Sequence, residues 1–292
     1  MAATYLQLSN WLDTSADLDA PANWSLAAAP TTADDLRFTR GSQTIITDLD
    51  TDADDVDYDS IHVGRNFEGA IGDASHIWCL GSLEEIIFEG SRCKECWWTV
   101  GSGKAVVLLR VLDSGPGSNA LVLYGGTWTD VQVQKCGHMR IGAAATLTSL
   151  KILGGVATIS RLTVETGATL TAVIQHAGVV NSSAAAVTLN IHGGTWNHIG
   201  GTTFNITTLN IYGGQFNFHT TAGSGAPTIT TCNLYGGILD ANGGDGNQRI
   251  ITTLNRYGGT IDRRDAGASL AIDTHNIYGG SELMVRSAPV SA

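Results

Sequence analysis

A short acidic stretch in the first sixty residues has the residue types and the spacing to bind a divalent cation. Its aspartates occupy positions 1, 3, 5, 7 and 12 of an EF-hand-like loop, in which carboxylate oxygens surround Ca²⁺. Ala53 replaces the turn glycine of such a loop, and neither flank has a helical pattern. We therefore interpret the stretch as a solvated acidic loop that could meet a basic partner, with a calcium site as the alternative. The residues are Asp48, Asp50, Asp52, Asp54 and Asp59.

Cys93 and Cys96 form a CxxC pair, a spacing found in many zinc sites. Structural zinc needs four ligands and the chain has no second CxxC, so distant residues would have to complete the site. The candidates are Cys79, Cys136, His76 and His138. The total of five cysteines is odd, which argues against a disulfide framework and favours folding in a reducing cytoplasm. Two reduced thiols in a turn are the favoured interpretation.

Acid–base catalysis would need paired carboxylates, or clustered Arg and Lys, on one wall of the molecule. Asp240 and Asp262 take equivalent positions in successive repeats, with Arg263 and Arg264 beside the second. Solvated turn residues are the commoner meaning of such a cluster. The sequence contains no GxSxG, P-loop or HExxH motif. We predict no catalytic residues, no cofactor and no enzymatic activity, with a polysaccharide-degrading β-helix enzyme as an alternative.

An internal repeat must supply the elements that position these residues. A Gly-Gly pair recurs with its first glycine at 125, 154, 193, 213, 236, 258 and 279, so the last spacings are 20, 23, 22 and 21 residues. Apolar residues stand two and four positions before this glycine, as on a strand with one buried face. Such short repeats leave no room for a crossover helix, so each turn must pair with the next. We predict an all-β fold, a right-handed parallel β-helix with rungs of about 21 residues.

The columns of the repeat predict where particular side chains lie. Inward positions that we expect to be buried are Leu121, Leu189, Leu209, Leu254, Ile191, Ile211 and Ile277. Outward amides that we expect to stack as a hydrogen-bond ladder are Asn190, Asn210, Asn233, Asn255 and Asn276. Arg256 and His275 stand in inward columns near the last repeats. We interpret these two as end-of-core or subunit-contact residues.

Tyrosines recur one position before the first glycine, and those of the last four repeats are Tyr212, Tyr235, Tyr257 and Tyr278. A row of outward aromatics spaced by single rungs forms an apolar stripe, which soluble monomers seldom leave exposed. We therefore predict that this wall packs against a neighbouring copy or another protein. The alternative is that each ring lies flat over its own turn, with its hydroxyl in water and no partner.

Composition agrees with an all-β fold and limits the partners. The chain of 292 residues is 43 % hydrophobic, with 36 Gly and 5 Pro, which suits short strands and tight turns. A net charge of −11 opposes binding to nucleic acid and anionic membranes, and we expect neither a signal peptide nor a membrane span. The repeats place the β-helix at residues 101–283. A β-rich N-terminal cap or docking region is predicted at residues 1–100, and a tail at residues 284–292.

Residues 23–72 resemble a recurrent block in bacteriophage virion proteins, and the Gly-Gly solenoid that follows is similar too. The block comprises Asn23-Trp24-Ser25, Pro30, Asp34-Asp35-Leu36-Arg37-Phe38, Ile61-His62-Val63-Gly64 and Phe67-Glu68-Gly69-Ala70-Ile71-Gly72. The resemblance implies a virion protein made in the host cytoplasm, first of all a capsid decoration (cement) protein that binds the major capsid protein or another virion protein. Such proteins often sit at threefold positions, which favours a homotrimer. A tail or head fibre that binds host glycan through its Trp and Tyr columns is the first alternative.

Overall fold

The structure of the chain, a computed structural model, is nearly all β. The chain divides into two compact units, Met1–Thr169 and Leu170–Ala292. Among the described residues the only helical segment is a 3₁₀ turn at Pro21–Asn23. The structure describes residues 8–10, 18, 21–25, 27–28, 30–31, 34–38, 45–46, 56–89, 92–114, 119–154, 161–199, 205–219, 226–242, 248–264 and 270–283.

The first unit is a coil of short parallel strands. These are β1 (Leu8–Asn10), β2 (Asp35–Phe38), β3 (Ile45–Ile46), β4 (Ser60–Val63), β5 (Ala70–Ile71), β6 (Trp78–Leu80), β7 (Leu83–Phe88), β8 (Glu95–Val100), β9 (Ala105–Val111), β10 (Asn119–Val133), β11 (His138–Ile152) and β12 (Arg161–Val164). One wall follows the parallel series β1, β2, β4, β7 and β9, and then the C-terminal halves of β10 and β11. Another follows β3, β5 and β8, then the N-terminal halves of β10 and β11, and then β12. Parallel neighbours at these separations in sequence define a solenoid.

The second unit has two regular walls. Its strands are β13 (Thr169–Gln175), β14 (Val179–Ser182), β15 (Ala185–Ile191), β16 (Thr195–Ile199), β17 (Asn205–Ile211), β18 (Gln215–His219), β19 (Thr228–Leu234), β20 (Ile238–Asp240), β21 (Arg249–Arg256), β22 (Thr260–Asp262), β23 (Leu270–Ile277) and β24 (Ser281–Leu283). The odd-numbered strands from β15 to β23 pair in parallel in one wall. The even-numbered strands from β14 to β24 do so in the other. The predicted all-β parallel solenoid is confirmed, with turns of about 22 residues.

Parallel pairing continues across residue 100, where the sequence suggested that a separate region ends. Ile86 of β7 pairs with Leu109 of β9, and Trp98 of β8 pairs with Leu123 of β10. The described strands before residue 100 are thus turns of the same kind as those after it, although they lack the Gly-Gly marker. A docking role for residues 1–100 stays a prediction, and residues 284–292 lie outside the described residues.

The core of the second unit follows the predicted inward columns. The predicted core residues from both units, Leu121, Leu189, Leu209, Leu254, Ile191 and Ile211, are fully buried. Ile277 is the exception, because 57 % of its surface is exposed. Among the described strands, β23 pairs on one side only, with β21, so no later turn of that wall covers Ile277. The prediction that Ile277 is buried is therefore wrong.

Candidate functional site

The odd-numbered wall of the second unit carries three outward columns, which we name the charge-free face. Strand alternation puts residues five, three and one before the Gly-Gly pair on the same side of the sheet. The columns are the threonines Thr188, Thr208, Thr231, Thr253 and Thr274, the five predicted asparagines, and a row of aromatic rings. None of these residues is Asp, Glu, Lys or Arg, although the chain has a net charge of −11.

The aromatic column is a continuous stack of six rings, which we call the aromatic stack: His176, His192, Tyr212, Tyr235, Tyr257 and Tyr278. Successive ring centroids are 4.9, 4.6, 4.9, 4.9 and 4.8 Å apart. From His192 onward the ring planes agree within 7°. The predicted stacking of tyrosines on successive turns is confirmed. Each ring stacks on the next turn's ring instead of lying flat over its own turn.

This geometry decides which part of each ring a partner can touch. Neighbouring rings cover the faces, so the edges and hydroxyls of Tyr212, Tyr235 and Tyr257 account for exposed fractions of 46, 43 and 46 %. A sugar that stacks on an aromatic ring needs a ring face. Trp128 and Trp196 are fully buried and offer none. Tyr212, Tyr235 and Tyr257 therefore offer a partner their ring edges and hydroxyls, not their ring faces.

The asparagine column is the predicted amide ladder. Each side-chain NH₂ donates to the side-chain oxygen of the preceding turn, from Asn210 to Asn190 at 2.8 Å and from Asn233 to Asn210 at 2.8 Å. The ladder continues through Asn255 at 2.9 Å and Asn276 at 2.8 Å. Because each amide binds its neighbour, the ladder stiffens the charge-free face.

A second amide ladder on the even-numbered wall was not predicted. Asn197 donates to Asn181 at 2.8 Å, and Asn217 donates to Asn197 at 2.6 Å. The signal was available, because Asn197 and Asn217 each stand four positions after the first glycine of their repeats. Asp240 and Asp262 occupy the same position in the next two repeats.

Asp240 and Asp262 are register partners on β20 and β22, as their equivalent positions suggested. The guanidinium of Arg264 donates to both carboxylate oxygens of Asp262, at 3.0 and 2.7 Å. These bonds lower the pKa of Asp262 to about 2, so it is ionised at neutral pH and cannot serve as a general acid there. Asp240 accepts the backbone N–H of Asn242 at 2.9 Å. Both carboxylates hold turns in place.

Arg256 and His275 lie near the last turns, as their positions in the repeats require. Arg256 is buried and its guanidinium lies 3.4 Å from the carboxylate of Glu282. Arg263 contacts the other oxygen of that carboxylate at 3.2 Å. These ion pairs fit the end-of-core interpretation of Arg256. A subunit contact through either residue stays a prediction.

The candidate metal ligands are only partly described. Asp48, Asp50, Asp52 and Asp54 lie outside the described residues, and Asp59 is exposed. Within the described part of the chain, no three His, Cys, Asp or Glu side chains are grouped as a metal site would require. Cys93 and Cys96 are buried, with their sulfur atoms 3.2 Å apart. Among the residues that the structure describes, no helix has the length and apolar character to cross a membrane.

A buried histidine makes stability depend on pH. Burial is the main cause that lowers the pKa of His198 from 6.5 to about 4, and the nearby His219 and Arg249 lower it further. Between pH 6.5 and about 4, His198 therefore binds a proton in the unfolded chain but stays neutral in the folded chain. Stability that is present above pH 6.5 should be lost as the pH falls towards 4, by an amount of the order of 3 kcal/mol.

His198→Phe should remove this loss, because Phe218 occupies the paired position on β18. Urea unfolding of both proteins at pH 7 and pH 4.5 measures the difference. Equal losses of stability in the wild type and the variant would contradict the role of His198.

Comparisons of the chain with protein-family models, with curated proteins and with solved structures found no match.

Proposed function

We propose that this protein is a non-enzymatic structural component of a phage virion, most specifically a capsid decoration protein that self-associates and binds capsid protein. The observation that carries the proposal is the aromatic stack on the charge-free face of the second unit. The resemblance of residues 23–72 to virion proteins supplies the phage context.

Charge explains why this face is the best surface for assembly. Copies with a net charge of −11 repel each other, and repulsion is weakest where surfaces with few carboxylates meet; on the described odd-numbered strands β15 to β23, Asp273 of β23 is the one exposed acidic residue. The charge-free face offers ring edges and hydroxyls at the same spacing in every copy, so three copies can bring this face together along a common threefold axis over several turns. A closed homotrimer is the assembly that we propose, with the remaining surface available to the major capsid protein.

A single charge at the centre of the aromatic stack should abolish self-association. Tyr235→Asp places a carboxylate in the proposed interface, where an uncompensated buried charge costs about 3 kcal/mol or more, or roughly a hundredfold in affinity. The wild type is expected to sediment as a trimer at micromolar concentration and the variant as a monomer. Analytical ultracentrifugation measures both.

Tyr124→Asp is the matched control, because Tyr124 is exposed to a similar extent but lies in the first unit. The control should sediment like the wild type. A wild type that stays monomeric at tens of micromolar, or a control that dissociates as fully as Tyr235→Asp, would refute the proposed interface. Circular dichroism confirms that each variant is folded.

The virion role has its own test. Cryo-electron microscopy of purified particles, with antibody labelling of this protein, should place it on the capsid shell. Labelling confined to the tail would favour the fibre alternative. If the purified particles did not contain this protein, the virion role would be refuted.

A further inference from the structure

Cys93 and Cys96 are positioned to react with each other. Their sulfur atoms are 3.2 Å apart, little more than 1 Å beyond the length of a disulfide bond of about 2.05 Å. The turn that carries Cys93 is held against the preceding turn of the solenoid, because the backbone N–H of Lys94 donates to the carbonyl of Gly69 at 2.9 Å. Cys96 lies on β8 and pairs with Ile71 of β5.

We propose that Cys93 and Cys96 are a thiol–disulfide pair, which closes to an intramolecular disulfide when the folded protein meets a small disulfide oxidant such as oxidised glutathione. The approach of two sulfurs that already touch needs only a local adjustment of the turn. The strand pairing of β8 can therefore persist in both redox states.

The reaction is two thiol–disulfide exchanges. Cys93 loses its proton to solvent, and its thiolate attacks one sulfur of oxidised glutathione. The glutathione S–S bond breaks, one glutathione leaves as a thiolate, and a mixed disulfide forms on Cys93. Cys96 then loses its proton and attacks the Cys93 sulfur, which expels the second glutathione. Two protein thiols are oxidised, and one glutathione disulfide is reduced to two thiols.

The order of attack follows from burial. Arg92 and Lys94 on either side of Cys93 are exposed, so a small opening of this turn brings Cys93 to solvent. Cys96 is fully buried, and this burial raises its pKa well above the usual range. Cys96 therefore meets its target only after the mixed disulfide has formed beside it.

The two cysteines would be free thiols in a reducing cytoplasm and a disulfide outside the cell. A virion component would then acquire its disulfide after release, and this timing rests on the proposed function. The redox chemistry does not, because it can be measured on the isolated protein whether or not that protein assembles.

The test counts thiols. Folded protein is incubated with oxidised glutathione and then unfolded in the presence of an alkylating agent, without reductant. Mass spectrometry then measures the mass of the alkylated protein. The number of alkylated cysteines should fall from five to three, and the peptide that contains both residues should lose two hydrogens. Cys79→Ser, a matched control outside the pair, should also lose two thiols.

Cys93→Ser should keep all its remaining thiols under the same treatment. Five alkylated cysteines in the treated wild type, a disulfide between other residues, or a stable glutathione adduct would overturn the proposal. A loss of two thiols in Cys93→Ser would overturn it as well. The count in the wild type decides the question even if a variant fails to fold.

Discussion

Replacing Gly237 with alanine should lower the free energy of unfolding by about 2–5 kcal/mol. Gly237 has a φ of +70°, a conformation that costs other residues about 1–2 kcal/mol. An added Cβ would also lie 2.5 Å from the carbonyl oxygen of Gly214 in the preceding turn. Because that neighbour is backbone, the turns must separate, and overpacking of this kind costs about 1–3 kcal/mol more. Urea denaturation followed by circular dichroism measures the loss.

Gly103→Ala separates the two causes. Gly103 has a similar φ of +76°, but an added Cβ there would meet nothing within 4 Å. The control should therefore lose only about 1–2 kcal/mol, the cost of the backbone conformation. If both variants lost the same amount, close approach between turns would not be the reason for the Gly-Gly pair.

The same close approach explains why the fold of the second unit could be predicted. In a parallel, in-register coil, equivalent positions of successive turns are in contact. A position where the backbone approach requires a particular residue type therefore requires the same residue type one turn later. Gly213 and Gly236 both face a carbonyl of the preceding turn, at 2.6 and 2.5 Å from an added Cβ. The Asn and Tyr columns are visible for the same reason.

The functional residues that the sequence analysis did not predict begin in a turn that lacks the complete Gly-Gly pair. His176 begins the aromatic stack, but its turn continues with Ala177 and Gly178 instead of two glycines. The ladder of Asn181, Asn197 and Asn217 starts in that same turn and is replaced by aspartates after three members. A column this short gives a weak periodic signal.

Most turns of the first unit could not be aligned, because varied ion pairs link them and the Gly-Gly pair occurs in this unit only at residues 125 and 154. Arg110 pairs with Glu85 across 25 residues, Lys151 with Asp130 across 21 and Lys135 with Asp113 across 22. A cation and an anion can exchange places, or move along the strand, without losing the attraction. Before residue 121 the sequence therefore shows strands but no column.

Ile211→Ala should cost about 2–5 kcal/mol of unfolding free energy, the usual penalty for a cavity in a packed core. Ile211 is fully buried on β17, between Ile191 of β15 and Leu234 of β19. Three aliphatic side chains thus stack along the solenoid, and a missing side chain leaves space that neither neighbouring turn can fill without breaking its own strand pairing. Urea denaturation of the purified variant gives the value.

Ile277→Ala provides a control of the same residue type in the same column of the same unit. Ile277 lies on the last described strand of its wall with 57 % of its surface exposed, so the change should cost no more than about 0.5 kcal/mol. A loss below about 0.5 kcal/mol for Ile211→Ala would contradict its core position. A loss of about 2 kcal/mol or more for Ile277→Ala would mean that another copy or another protein covers the end of the solenoid in solution. The pair of measurements therefore tests burial along the column and the state of its last turn together.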